Sequence, residues 1–245
     1  MNREWILKKT NPEYINYLSK TASVSPVFAQ ILINRGLKTP AEVADFLNPA
    51  ISALSDPFAL PGITTAVERI RDALSRKERI LIHGDYDTDG LTATAIMVQT
   101  LRMLGVDTHY FIPERIQHGY GFNPASVRLA KELGVSLIIT VDCGITSFEA
   151  ATNAKQEGID VIITDHHEPV RKGIGDWGLG ISRGEDDSSR PITPTPYLLP
   201  EAIVIINPKL STSNSQLSTL SGAGVAFKFA QALASEFGIR NCYLT

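Results

Sequence analysis

A chain of 245 residues, 43% hydrophobic and 20% charged, has room for one sizeable core plus a small appendage, and its composition excludes a disordered or fibrous protein. The formal charge of −3 excludes the broad basic excess of a dedicated duplex-DNA binder, so any nucleic acid must be handled by a local groove or a metal site. The longest apolar runs are strand-length, Met1-Asn2-Arg3-Glu4-Trp5 opens no signal-peptide pattern, and Cys143 and Cys242 make neither a disulfide framework nor a paired ligand spacing. A non-membrane protein of the reducing cytoplasm is expected.

Residues 1 to about 62 read as a helical lead-in, with apolar clusters such as Ile31-Leu32-Ile33 and Phe46-Leu47 set among breaks at Pro12, Pro26, Pro40 and Asn48-Pro49. A helix is expected over Thr65–Ser75. Residues 63–245 then form the main domain. The run Ile80–His83 is a strand, followed by a loop from Gly84 to Gly90 and a helix through Leu104. Further strands are expected at Thr108–Ile112, Leu137–Val141, Val161–Thr164 and Ala202–Ile206, with helices at Pro124–Leu133 and Ser147–Gln156. Continuous Ile/Val/Leu runs separated by amphipathic helices indicate a parallel sheet covered on both faces. The fold class is therefore α/β, a doubly wound, mostly parallel five-stranded sheet with a helical N-terminal lead-in. Residues 171–199, rich in Gly, Pro, Ser and acid, interrupt the pattern as an expected flexible surface insertion.

Polar residues gather where the strand runs end: His83-Gly84-Asp85-Tyr86-Asp87-Thr88-Asp89-Gly90, Asp142-Cys143-Gly144, Asp165-His166-His167-Glu168 and Asn207-Pro208-Lys209. In a parallel sheet these ends share one edge, where open α/β folds bind ligands. Carboxylates and imidazoles converging there would repel one another unless cations held them. Mixed Asp and His ligands suit Mn²⁺ or Zn²⁺, with Mg²⁺ less favoured by imidazole, and there are ligands enough for two ions. Taken singly, each piece has a plainer role. Asp142 could cap the next helix, the His pair could lie on the surface, and Asn207-Pro208 could be a turn. An Asp-x-Asp-x-Asp-Gly loop also suits calcium, but its bidentate Glu would then fall at Met97, inside an apolar helix. Independent caps and turns have no reason to follow the strands of one sheet, which favours the metal reading.

The pattern His83-x-Asp85-x-Asp87-x-Asp89-Gly90, with the strand-end Asp142 and Asp165-His166-His167, resembles the first three motifs of the DHH phosphoesterase superfamily, and in detail its RecJ type. The segments HGDYDTDGLTATAI at 83–96, HGYGFNP at 118–124, LIITVDCGITS at 137–147, VIITDHHEP at 161–169, INPK at 206–209 and LSGAGVAFKFAQAL at 220–233 carry the likeness. Lead-in features such as Ile33-Asn34-Arg35-Gly36 and Phe46-Leu47-Asn48-Pro49 extend it over nearly the whole chain.

The resemblance implies a metal-dependent phosphodiesterase that digests single-stranded DNA from the 5′ end in recombination and repair, with two divalent cations, Mn²⁺ first and Mg²⁺ second. It implies Asp87, Asp89, Asp142 and His166 as core ligands, Asp142 bridging two ions, with His83, Asp85 and Asp165 completing or orienting that shell. His167 would contact the scissile phosphate or donate a proton. No nucleophilic side chain is required, and Cys143 reads as a small buried residue. Ser221-Gly222-Ala223-Gly224, opening a helix, could cradle phosphate through Gly222 and Gly224, with Lys228 one turn along and close backbone packing the plainer alternative. Arg115, His118 and Tyr120, together with Asn207 and Lys209, are the remaining nucleic-acid candidates. RecJ-type enzymes carry a further metal-binding Asp and a second substrate-binding domain beyond the GAGVAFK segment. This chain stops at Thr245, before either, so a fragment, a truncated gene product or a departed paralogue is expected, with weakened metal binding and a weakened grip on single strands. Two other functions stay open: a related phosphodiesterase for oligonucleotides or cyclic dinucleotides, and a non-catalytic scaffold on the same fold.

Overall fold

The computed structural model describes residues 10–114, 116, 119, 121–171, 196–210 and 217–239. These fall into two compact units, one ending at Leu54 and the other beginning at Ser55. The first holds helices α1 (Pro12–Thr21), α2 (Pro26–Asn34) and α3 (Pro40–Leu47) around a small core of Leu18, Ala29, Leu32 and Val43. Of the prolines that read as breaks in the sequence, Pro12, Pro26 and Pro40 are helix starts, while Asn48-Pro49 follows the end of α3. Each of the three helix starts stands in the first turn, where its missing N–H costs nothing, behind a capping Asn11, Ser25 or Thr39. Thr39 and Glu42 complete a reciprocal capping box.

The second unit starts eight residues before the expected border near residue 62. Pro57–Ala59 forms a 3₁₀ turn, and Leu60 is buried in this unit's core rather than with the lead-in helices. The unit then runs through α4 (Ile63–Arg76), β1 (Arg79–His83), α5 (Thr88–Met103), β2 (Thr108–Phe111), α6 (Pro124–Glu132), β3 (Val135–Val141), α7 (Phe148–Gln156), β4 (Asp160–Thr164), β5 (Val170–Arg171), β6 (Tyr197–Leu198), β7 (Val204–Ile206) and α8 (Gly222–Phe237).

Five strands form one sheet in the order β2-β1-β3-β4-β7, every pairing parallel, as the doubly wound pattern requires. Strand residues alternate between two cores. Ile80, Ile82, Leu137, Ile139 and Ile162 face α4, α5 and α8, packing with Ile70, Met97, Leu101 and Phe229. Leu81, Ile138, Val161 and Ile163 face α6 and α7, packing with Val127, Ala150 and Ala154. Burial on both faces explains the unbroken apolar runs. Strand β1 lies between β2 and β3, so the chain reverses its direction of travel there. The crevice beyond the C-terminal ends of such strands is where an α/β sheet opens to a ligand.

The two ends of the expected insertion, Val170–Arg171 and Tyr197–Leu198, pair as a short antiparallel ribbon. Residues 172–195, on which the expected flexibility falls, lie outside the described residues. No helix of the described residues is long and apolar enough to cross a membrane.

Candidate metal centre

The first acidic segment turns from β1 directly into α5. Asp87 caps that helix, its Oδ1 accepting a hydrogen bond from the Gly90 amide at 2.9 Å. A Cβ on Gly90 would fall 2.6–2.7 Å from atoms of Asp85, so only glycine lets the helix start press against that residue. Asp85 is buried and takes the Tyr86 amide at 2.8 Å. Burial pushes its carboxyl up; the Tyr86 amide opposes that shift, and repulsion from Asp87 adds to it.

Asp142, just past β3, is 2% exposed and has φ +61°, a left-handed backbone that Asp tolerates better than most side chains. Its Oδ1 has no hydrogen-bond partner among the described residues, although His166 Nε2 lies 3.1 Å away. Burial, then repulsion from Asp89 and Asp87, pushes its carboxyl up to about 7. A buried carboxylate with an unsatisfied oxygen among like charges is the donor set that a divalent cation fits.

Two groups of side chains have ligand atoms that all lie within 4.8 Å of one another: Asp85, Asp87 and Asp142, and Asp142, His166 and His167. Asp142 belongs to both. Asp89 borders the second group, its Oδ2 being 3.7 Å from His166 Nε2. That carboxylate is clamped by the α8 N-terminus, receiving the amides of Gly222 and Ala223 at 2.7 and 2.8 Å. Desolvation alone would raise its pKa, but these amides hold it below the usual carboxylate range.

Several expected assignments change. His83 does not reach the acids. Its ring is buried between Phe111 and Phe122, centroids 5.4 and 5.3 Å away, with Nε2 3.1 Å from the Gly121 carbonyl oxygen. Asp165 is saturated rather than open: Oδ1 accepts from the His166 and His167 amides and meets His167 Nδ1 at 2.7 Å, while Oδ2 takes the Ile145 amide. Burial opposes its ionisation, yet these bonds keep it below the usual range, so Asp165 orients His167. That bond, ahead of the opposing burial, raises the His167 pKa.

Asn207 is buried, donating to the His167 carbonyl oxygen at 3.0 Å and accepting from the Lys209 amide, so it braces the histidine loop instead of facing a nucleic acid. Lys209 stays at the edge, its Nζ 2.8 Å from Glu168. Lys228 is 2% exposed, with Nζ donating to the Ser55 carbonyl oxygen and to Gln231, which leaves it no phosphate to hold. Nor are the Gly222 and Gly224 amides open to a phosphate: the first is given to the Asp89 carboxylate and the second to Ser221 Oγ. Arg115, His118 and Tyr120 lie outside the described residues. Cys143 is buried with its thiol pushed up by desolvation and by the negative charge of Asp165, Asp85 and Asp142, which suits no nucleophile.

Backbone amides are what the sequence did not disclose. Ile145, Gly222 and Ala223 fix two of the acids, and the one cue was a Gly-rich helix start following the acidic motifs.

A parallel sheet with Asp and His side chains converging at its switch point defines a class, and sequence comparison agrees. The chain belongs to the DHH family: the profile of the DHH family N-terminal domain matches residues 79–176. Within that family its relatives are RecJ proteins. It is 37% identical over 232 residues to the single-stranded-DNA-specific exonuclease RecJ of Bacillus subtilis (strain 168), covering 95% of this chain and 26% of the relative. The RecJ of Thermus thermophilus is 35% identical, covering 88% of this chain and 27% of the relative. Among solved structures, the Thermus thermophilus RecJ in complex with Mn²⁺ matches with a TM-score of 0.65 and 30% identity over 96% of this chain and 29% of that one. A manganese-bound exonuclease RecJ matches with a TM-score of 0.58 and 35% identity over 74% of this chain and 39% of that one. The chain thus spans about a quarter to a third of the length of the curated relatives it matches.

Proposed function

We propose that this chain is the metal-binding part of a phosphodiesterase that hydrolyses single-stranded DNA, with two divalent cations, Mn²⁺ foremost, held at the switch point. The observation that carries the reading is Asp142, a buried carboxylate shared by two ligand groups. Manganese in related structures and the single-strand specificity in the relatives' names support it. Asp85, Asp87 and Asp142 would hold one ion, and Asp142 and His166, with Asp89 beside them, would hold the other. When bound, the ions supply Lewis acidity, activating water and neutralising the charge that develops on the phosphate.

The protein's own groups do the rest. Asp165 fixes the His167 ring through Nδ1 and favours its charged form, which equips His167 to donate a proton to the leaving oxygen. Asn207 holds the backbone of that histidine in place. Such work on DNA fits a cytoplasmic protein of recombination and repair that digests from the 5′ end.

The test is Mn²⁺-dependent nucleotide release from 5′-labelled single-stranded DNA by this chain and by Asp142→Ala, with duplex DNA and a cyclic dinucleotide alongside. Release from the single strand alone, lost in the variant, is expected. A folded wild-type chain that neither binds Mn²⁺ nor releases nucleotide overturns the reading.

A further inference from the structure

We infer that Gly222 is a positioning residue for the carboxylates of the site: the bare first turn of α8 leaves room for Asp142 while its amides lock Asp89. Two independent features of one residue meet here. A Cβ built on Gly222 would stand 2.1 Å from Asp142 Oδ1, 2.4 Å from its Cγ and 2.5 Å from its Cβ. These distances are far inside van der Waals contact, and the atoms struck belong to a side chain that is 2% exposed and has nowhere to retreat. The same residue's N–H, with that of Ala223, makes a two-pronged bond to the Asp89 carboxylate. Displacing α8 to relieve the clash therefore withdraws the amides from Asp89, so one methyl group disturbs both acids.

The helix cannot easily yield by sliding. Its length buries Val225, Phe229 and Leu233 in the sheet core, and Lys228 ties its second turn to the Ser55 carbonyl oxygen. Gly224, two residues on, has no such duty. A Cβ there meets the Leu220 side chain at 3.1 Å and then Ser221 Oγ at 3.7 Å. The Gly-x-Gly start of α8 thus has one position against a buried carboxylate and one against the end of the Leu220 side chain, which need give by only a few tenths of an ångström.

A double-mutant cycle on the metal-free chain tests the contact without reference to any ion. Gly222→Ala should lower the thermal midpoint by on the order of 5 °C relative to Gly224→Ala, although both gain helix propensity. Asp142→Gly removes the three atoms nearest the new methyl and suits the positive φ, so in that background the cost of Gly222→Ala should largely vanish. Equal midpoints for the two alanine variants, or an undiminished loss in the Asp142→Gly background, would overturn the inference.

The second readout rests on the metal reading above. Titration with Mn²⁺ alone, followed by its electron paramagnetic resonance signal, should show affinity weakened about 10- to 100-fold in Gly222→Ala and within about twofold of wild type in Gly224→Ala. Wild-type affinity in Gly222→Ala refutes the positioning role. Absence of Mn²⁺ binding in the wild type refutes the metal reading, while the cycle still decides whether Gly222 sets the Asp142 carboxylate.

Discussion

The two ends of the central sheet handle charge in opposite ways. At the N-terminal end, Arg69 of α4 is 9% exposed and reaches Glu78 at 2.6 Å and Asp160 at 2.8 Å, so one guanidinium answers two carboxylates from the starts of β1 and β4. At the C-terminal end, ligand atoms of Asp85, Asp87 and Asp142 lie within 4.8 Å of one another, and burial with repulsion from Asp89 and Asp87 pushes the Asp142 carboxyl up. The chain balances its own charge at one end and leaves it unbalanced at the other. Burying unpaired charge is costly, so a fold retains such an arrangement where a ligand supplies the missing cation. On the metal reading proposed above, stability is held at one end and function at the other.

The sharpest way to break this contrast is Asp142→Asn. Asparagine keeps the shape and tolerates the positive φ but removes the charge. Mn²⁺ affinity should fall more than about 100-fold, since the variant loses a ligand common to both groups. The metal-free variant should nevertheless be more stable than wild type at pH 8, with a thermal midpoint higher by on the order of 5 °C, because the repelled carboxylate is gone. Thermal scans with and without Mn²⁺ check both halves. A variant that melts lower without metal would show that Asp142 is a structural acid and that the two ends do not differ in kind.

Arg69→Met probes the opposite end. The methionine fills the aliphatic volume but leaves Glu78, whose side chain is 13% exposed, with only the exposed Arg76 at 3.6 Å as a cation, whereas Asp160, 44% exposed, turns to water. The expected loss is about 2–3 kcal/mol by urea unfolding, below the roughly 3–5 kcal/mol of a fully buried broken pair because Arg76 still faces Glu78. Mn²⁺ affinity should stay within about twofold of wild type, because sites without shared partners act additively. A large drop in affinity would couple the ends and defeat the division of labour.

How far this contrast was legible in the sequence depends on which atoms decide it. The parallel sheet and the edge that carries Asp87, Asp142 and His166 follow from periodicity, because strand direction alone places them. Lone-pair accounting does not. Asp165 and Asp89 read alike in the sequence, and both have each oxygen bonded to backbone amides; what separates them is the imidazole each meets, His167 for Asp165 and His166 for Asp89. His83 belongs to the same motif as Asp85, but strand alternation turns its ring into the aromatic pair. Lys228 reads as a phosphate contact by its distance from a Gly-rich turn, but its helix face looks inward. Arg69 passed unnoticed although it sits among Ala66, Ile70 and Ala73, the buried stripe of α4, where a charge must find a partner.

The smallest effect expected is also the one that separates the ends by sign. Glu78 titrates below its usual value: desolvation opposes this, but hydrogen bonding and charge from Arg69 prevail. Its contribution is therefore complete above about pH 4.5 and is lost as pH falls through the lower folded value. Asp142 behaves inversely. Its folded carboxyl, pushed up to about 7, keeps a proton that the unfolded chain has released from about pH 4 upward. The metal-free fold thus loses stability on that account as pH rises toward 7 and holds level beyond. Glu78→Gln should cost about 1 kcal/mol at pH 7, with the difference from wild type shrinking as pH falls through the lowered folded value. Asp142→Asn should match wild type near pH 4 and exceed it by pH 8, an excess that saturating Mn²⁺ reverses by stabilising the wild type alone. Thermal midpoints of the three chains across this range, with and without Mn²⁺, give two opposed limbs if the ends are as different as their partners suggest. If the two variants diverge from wild type over the same pH window, a single charge network spans the sheet, and the unbalanced edge is part of the scaffold.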